Sequence, residues 1–186
     1  MKKMGLILSA GALWALVLSG CIMTATGVIT VRLAPDDYGN PVTVTEADYS
    51  EGEIEVNLSE DEDFAEFREK IKDIDNVGFY LEVTNNLGTD ATFQLFLEPD
   101  TSKNWTDPAY VVDSGAYLVF TGLTIPGGES VTIDWNASMA YINNLAEVKP
   151  YLESGLFSLY PLAVPHDDFN LTTDSLVIIV TLTGTD

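Results

Sequence analysis

The chain has 186 residues, of which 29 are acidic and only eight are basic, so its formal net charge at pH 7 is −21. This balance disfavours nucleic acid as a partner, because nucleic-acid binding depends on Lys and Arg side chains that neutralise phosphates. It also disfavours direct adhesion to anionic lipid. A single cysteine and a single histidine exclude intramolecular disulfides, zinc centres with several histidines, and HExxH proteases.

The first 20 residues have the pattern of a secretory signal peptide. Lys2 and Lys3 form a short positive region, and the stretch 4–18 is apolar and uncharged. Small residues at 19 and 20 then precede Cys21. The alternative is an uncleaved transmembrane helix, since about 20 apolar residues suffice to span a bilayer. Ser and Gly residues interrupt the apolar run after position 18, which favours the signal peptide.

The residues Leu18-Ser19-Gly20-Cys21 resemble the lipobox of bacterial lipoproteins. The resemblance implies cleavage before Cys21 and a diacylglycerol thioether on its sulfur, so that the segment 21–26 becomes a lipid-anchored tether. It also implies a place on the extracytoplasmic side of a cell-envelope membrane, which would be the outer membrane in a Gram-negative cell. Membrane lipid is therefore the first predicted partner, since each buried acyl methylene contributes about 0.8 kcal/mol.

Residues 27–186 have a suitable length for one domain with a single core. Segments 27–33 and 53–58 are predicted strands, and a turn-rich loop at 35–41 separates them. In the second segment the apolar residues alternate with polar ones, which indicates a strand with one buried face.

A capping box marks the start of a predicted helix. Ser59 is followed three residues later by Glu62, and apolar residues within 64–74 have helical spacing. The acidic run from Glu60 to Asp63 could contribute to a calcium site, but Ca²⁺ needs six to eight converging oxygens. Negative charge at a helix N-terminus is the simpler explanation of this run.

Two pairs of strands follow. Segments 77–83 and 91–97 alternate apolar and polar residues and are joined by an Asn- and Gly-rich turn, which predicts a hairpin. Segments 116–125 and 130–135, joined by a Pro-Gly-Gly turn, predict a second strand pair.

The last part of the chain combines a second helix with two strands. Apolar residues at spacing three predict a helix over 136–154, with a kink or an end at Pro150. Segments 156–164 and 175–184 are predicted strands. The final one is almost continuous in β-branched residues, so we expect it to lie centrally in a sheet.

These elements predict a mainly β fold, an antiparallel β-sandwich of Ig-like or jelly-roll order with two short helices inserted in connections. The layout resembles that of uncharacterised bacterial lipoproteins that combine a lipobox with one sandwich domain.

Aromatic residues provide the main candidate ligand site. Trp105, Tyr110 and Tyr117 lie in or beside the polar connection 98–115, which also contains a short predicted strand near Tyr110. Aromatic side chains beside amides and acids are typical of surfaces that stack on sugar rings or anchor a protein partner. The alternative is that these rings only attach the loop to the sandwich.

The only histidine, His166, is followed by Asp167 and Asp168, which are candidate calcium ligands. A Ser-His-Asp triad would have to use His166, but its turn-rich surroundings favour a solvated loop residue. No GxSxG motif, P-loop or dinucleotide fingerprint occurs. We therefore expect no cofactor and no enzymatic activity. The sequence favours a structural or protein-interaction component of the cell envelope, and the alternative is an extracytoplasmic module that binds carbohydrate or calcium.

Overall fold

A computed structural model describes residues 24–34, 41–49, 52–57 and 71–185 of the chain. Strands dominate these residues, and the helices lie in the connections between strands. The elements are β1 Thr24–Ala34, β2 Val42–Thr45, β3 Ile54–Asn57, β4 Ile71–Asn85, β5 Ala91–Glu98, α1 Pro108–Asp113, β6 Tyr117–Ile125, β7 Ser130–Ile133, α2 Trp135–Ser138, a 3₁₀ helix Met139–Tyr141, α3 Leu145–Ser154, β8 Leu156–Val164 and β9 Asn170–Thr185.

The strands of the described residues form two antiparallel sheets. One sheet has the order β1-β9-β4-β7, and β2 pairs with β9 beyond the end of β1. The other sheet has the order β3-β8-β5-β6. β9 therefore lies between β4 on one side and β1 with β2 on the other, which confirms the prediction that the final strand is central.

Strand pairing follows a nested pattern, in which β5 pairs with β6, β4 with β7, β3 with β8, and β2 with β9. A chain that pairs in this way is one long hairpin rolled into two sheets, which is the strand order of a jelly roll. An immunoglobulin domain groups its strands differently, with four in one sheet and three in the other. The predicted antiparallel β-sandwich is thus confirmed, and its order is jelly-roll.

Both predicted strand pairs are wrong in the same way. β4 and β5 lie in different sheets, and so do β6 and β7. The connections 86–90 and 126–129 therefore cross from one sheet to the other. Alternation of apolar residues identifies the buried face of a strand but does not identify the strand it pairs with. Here, β4 and β5 turn their apolar faces toward each other across the core, and so do β6 and β7.

The core lies between the two sheets. Phe79 of β4 and Phe120 of β6 meet across the sheets, edge to face, with ring centroids 5.8 Å apart. Phe93 of β5 contacts Phe120 at the same distance. All three side chains are at most 4% exposed. Because such aromatic pairs contribute about 0.5–1.5 kcal/mol beyond the burial of their area, this cluster is a main link between the sheets.

Helix α1 replaces the strand predicted near Tyr110. Asp107 caps this helix by accepting a hydrogen bond from the Ala109 N–H at 2.8 Å. Pro108 suits the first helical position, where its missing N–H costs nothing. These two local signals decide for a helix, although Val111 and Val112 have a high preference for strands.

The single helix predicted over 136–154 is divided into α2, the 3₁₀ helix and α3. The break occurs because Ile142 forms a β-bridge with Phe120, and the following N–H donates to a carbonyl of β6. Residues 142 and 143 therefore pair with the edge strand β6 instead of continuing the helix. Pro150 lies inside α3 and does not end it, so only the hydrogen bond of its missing N–H is lost.

Several predictions fall outside the described residues, namely the signal peptide, Cys21, the loop at 35–40 and the acidic run 60–63. Segment 71–74, predicted as the end of a helix, is wrong, because it pairs with the end of β9 as part of β4. β1 begins at Thr24, within the segment predicted as a tether. In the described ranges, no helix is long and apolar enough to cross a membrane.

Candidate functional site

The structure brings two of the three predicted aromatic residues together and pairs the third with another partner. The ring centroids of Trp105 and Tyr110 are 6.2 Å apart, and their planes are inclined at 41°. Tyr117 packs instead on Tyr151 of α3, with ring centroids 5.6 Å apart and hydroxyl oxygens 3.4 Å apart. The hydrogen bond to Tyr151 raises the pKa of Tyr117. Tyr117 therefore helps to attach α3 to the sandwich.

Residues 99–116, which we call the aromatic loop, are attached to the sheet by two polar contacts. Tyr160 of β8 is completely buried and donates its hydroxyl to the backbone carbonyl of Lys103 at 2.6 Å. Glu98, at the end of β5, accepts a hydrogen bond from the Asp100 N–H at 3.0 Å and pairs with the Lys103 ammonium at 3.3 Å. Glu98 is only 4% exposed, while the Lys103 side chain is partly exposed, so the pair connects the loop to a buried carboxylate at the end of β5.

A polar cluster lies beneath the aromatic loop, on the outer face of the sheet. Phe157 and Leu159 line the core, so the intervening Ser158 and the following Tyr160 point to the opposite face. Ser158 donates its hydroxyl to the Glu53 carboxylate at 2.6 Å. Burial raises the pKa of Tyr160 most, and the charge of Glu53 raises it further. The Tyr160 hydroxyl therefore stays a neutral donor.

Sequence reasoning missed this cluster. Glu98 extends the alternating run 91–97, and Ser158 and Tyr160 interrupt the apolar run of β8. These polar groups within apolar runs are the sequence signal that indicates the cluster. Only the pairing of β8 with β3 and β5, however, brings the residues together.

Trp105 fastens the aromatic loop to the sandwich. Its ring is partly buried against the core, and the Lys103 ammonium lies 5.8 Å from the ring centroid, a favourable cation–π distance. Its indole N–H is buried and has no hydrogen-bond partner within the described part of the chain. Trp105 therefore contributes packing, and its polar group is turned away from solvent.

Two large apolar side chains of α1 are exposed to solvent. Pro108 and Val111 are buried, whereas Tyr110 is 58% exposed and Val112 is 39% exposed. The other large hydrophobic side chains of comparable exposure among the described residues are those of Leu156 and Val164. Tyr110 is therefore an exposed aromatic ring on a helix whose loop is attached to the sheet, and such a ring is suited to contact with a partner.

Acidic residues flank this exposed helix face. Asp113 follows Tyr110 by three residues within α1, so its carboxylate lies on the same side of the helix as the Tyr110 ring. Asp107 is the N-cap, and its carboxylate lies at the other end of α1. Both acids are exposed. We use the name Tyr110 patch for Tyr110, Asp107 and Asp113, together with Trp105, whose ring lies beside that of Tyr110.

The second predicted site lies in the connection from β8 to β9. His166 Nε2 is 2.8 Å from the Gln94 Oε1 of β5, while Asp167 and Asp168 are exposed. Among the described residues there is no group of three or more His, Cys, Asp or Glu side chains suited to a metal ion. A calcium site at Asp167 and Asp168 stays a prediction.

A small apolar cavity lies between the sheets, under α3. Its volume is about 20 Å³, and Phe79, Leu97, Val148 and Leu152 are among its lining residues. This volume is close to that of a single water molecule, and an apolar cavity of this kind stays dry. The cavity is a packing defect rather than a binding site.

No protein-family model matches this chain, and no curated protein matches it. The candidate site is therefore defined by its own geometry. That geometry consists of an exposed tyrosine on a short helix, two flanking carboxylates, and a loop that a buried carboxylate and a buried hydroxyl hold in place.

Proposed function

We propose that this chain is a lipid-anchored, non-enzymatic protein of the bacterial cell envelope, and that it binds another protein through the Tyr110 patch. The observation that carries the proposal is the exposure of Tyr110 on a helix whose loop is fixed by buried polar contacts. Interface hot spots are enriched in tyrosine. A side chain presented on a rigid loop also loses less conformational entropy on binding.

The proposed anchor is Cys21. Only Ile22 and Met23 separate it from Thr24, the first residue of β1, and three residues span at most about 10 Å. Thr24 pairs with Thr185 at the end of β9. β5 runs in the same direction as β9, so the aromatic loop leaves the sandwich at this end. A lipid on Cys21 would keep the Tyr110 patch on the membrane side of the domain.

The anchor is tested by mass spectrometry and detergent partition of the protein expressed in bacteria. We expect the wild type to carry a diacylglycerol group and to enter the detergent phase, and Cys21→Ser to do neither. Equal masses and equal partition of the two proteins would contradict the anchor.

The binding function is tested by a pull-down from detergent-solubilised envelopes. We expect one or more proteins to be retained by the wild type and lost with Tyr110→Ala. The control is Val164→Ala, which removes a similarly exposed apolar side chain from the opposite end of the sandwich. Equal retention by Tyr110→Ala would contradict the proposal. So would a hydrolytic activity of the purified protein that Glu53→Gln or Glu98→Gln abolishes.

Carbohydrate binding is a second candidate function. It is favoured by the close Trp105 and Tyr110 rings beside the carboxylate of Asp107, because sugar sites combine aromatic faces with oxygen acceptors. We then expect binding on a glycan array that is lost in Trp105→Ala and Tyr110→Ala and kept in Tyr117→Phe. A glycan array without any signal for the wild type would contradict this candidate.

A further inference from the structure

We infer that the partner of the Tyr110 patch presents a basic segment, in which Lys or Arg side chains flank an apolar side chain. This inference rests on the proposed function, because it names the chemistry of the protein that the patch contacts. It follows from the order of charged and apolar groups along α1 and from the lack of compensating positive charge in the aromatic loop.

The patch has an apolar centre between two negative ends. Asp107 lies at the N-cap of α1, Asp113 is its last residue, and Tyr110 lies between them; all three are exposed. Tyr110 is 58% exposed and forms the apolar centre. A complementary surface therefore needs an apolar group for the centre and a positive charge at each end.

The negative charge of the aromatic loop is not neutralised from within. Lys103 is the only Lys or Arg of residues 99–116, and it is paired with the buried Glu98. Asp100 adds a third exposed carboxylate to the loop. Hydrogen bonds from the hydroxyl and the N–H of Ser102 lower the pKa of Asp100, so it is ionised at neutral pH.

The same charge argues against a membrane as the occupant. An exposed tyrosine at the anchored end of the domain would suit the interfacial region of a bilayer. The three exposed carboxylates of the aromatic loop, and a net charge of −21 for the chain, are repelled by anionic lipid. A basic protein segment is attracted by the same charges, which also increase the rate of association.

Photo-crosslinking in the cell tests this inference on the full, lipidated chain. p-Benzoylphenylalanine replaces Tyr110 in one protein and Val164 in the control, and mass spectrometry identifies the crosslinked peptide. We expect position 110, and not position 164, to crosslink to a protein segment with positive net charge. A neutral or acidic protein segment would overturn the inference and leave the proposed function intact. Crosslinks to lipid alone, or none at position 110, would overturn both.

A second measurement uses two synthetic peptides as probes, one with alternating Lys and Leu and one with Gln in place of each Lys. At low salt we expect the Lys peptide to bind the purified protein roughly tenfold more tightly, and high salt should remove most of this difference. Asp113→Asn should weaken binding of the Lys peptide by roughly threefold. Glu129→Gln, which removes the same charge from the opposite end, should leave it unchanged. Equal effects of the two variants would overturn the inference.

Discussion

The two ends of the sandwich are held together by different interactions. At the crossover end, formed by residues 85–91 and 125–130, short connections are fixed by hydrogen bonds of a buried amide. At the helical end, formed by residues 99–116 and 134–155, long connections are fixed by packing of aromatic and aliphatic side chains together with the polar contacts of Tyr160 and Glu98. The longer connections, including the helix with the exposed Tyr110, thus lie at the end that carries the candidate site.

The crossover end depends on Asn85, which is completely buried. Its side-chain amide donates to the Thr89 carbonyl at 2.7 Å and to the Ile125 carbonyl at 3.1 Å, so one residue ties both crossing connections together. The connections also approach each other closely, since a Cβ on Gly127 would lie 2.3 Å from the carbonyl carbon of Gly88. Any side chain at 127 would push them apart.

The helical end depends on Phe120 and on the residues that pack around it. Tyr141 of the 3₁₀ helix lies with its ring centroid 5.5 Å from that of Phe120. Val148 and Leu152 of α3 are buried in the core. Packing of this kind tolerates long connections, because it fixes a few side chains and leaves the others free to face solvent.

The largest effect is expected from Phe120→Ala. This change removes ring contacts to both sheets and to Tyr141, so we expect the free energy of unfolding to fall by about 3–5 kcal/mol in equilibrium denaturation. Phe120→Leu keeps most of the apolar volume and should cost clearly less. Equal losses for the two variants would show that the aromatic contacts do not hold the helical end.

Asn85→Ala is expected to have the next largest effect. It leaves two carbonyls and the Leu87 N–H without their partner, so we expect a loss of about 2–3 kcal/mol. The neighbouring Asn86 is exposed and donates only to surface side chains, so Asn86→Ala should cost less than about 1 kcal/mol. Chemical denaturation of both variants measures the difference. Similar losses would remove the assigned role of Asn85.

Alkaline pH is expected to weaken both ends through two buried tyrosines. Burial raises the pKa of Tyr49, whose hydroxyl donates to the Pro161 carbonyl at 3.0 Å, and also that of Tyr160. In the unfolded chain both ionise near their ordinary pKa of 10.0, while the folded protein keeps their protons. Their contribution is therefore complete below pH 10 and is lost above it, by up to about 1.4 kcal/mol per pH unit for each tyrosine.

Denaturation curves at several pH values above 10 measure this loss. Tyr49→Phe should make the stability less dependent on pH, because it removes one of the two buried hydroxyls. A wild type that is equally stable at pH 9 and well above pH 10 would contradict the assigned protonation.

The smallest effect on stability is expected from Tyr110→Ala. Because the ring is 58% exposed, we expect the free energy of unfolding to change by no more than about 0.5 kcal/mol. Retention of the envelope partner should fall in the same variant. Thermal denaturation beside the pull-down separates the two roles. A stability loss comparable with that of Asn85→Ala would make Tyr110 a structural residue.

The sequence by itself determined where most strands lie and which of their faces are buried. Alternation located β3 and β5 within one residue, because a period of two follows directly from strand geometry. The aromatic loop was also predictable in outline. Trp105 and Tyr110 stood out as aromatic residues in a polar connection, and Asp107 and Pro108 are local signals of the helix that carries Tyr110.

Only the tertiary structure decided which strands are partners. The predicted pairs, β4 with β5 and β6 with β7, are replaced by β4 with β7 and β5 with β6, because β4 and β7 bury their apolar faces against β5 and β6 across the core. It also decided that Tyr117 packs on Tyr151 and that Tyr160 holds the aromatic loop. Which strands pair depends on contacts between residues far apart in the chain, so the sequence pattern does not reveal it. Alternation and helix capping depend on neighbouring residues, so they can be recognised in the sequence alone.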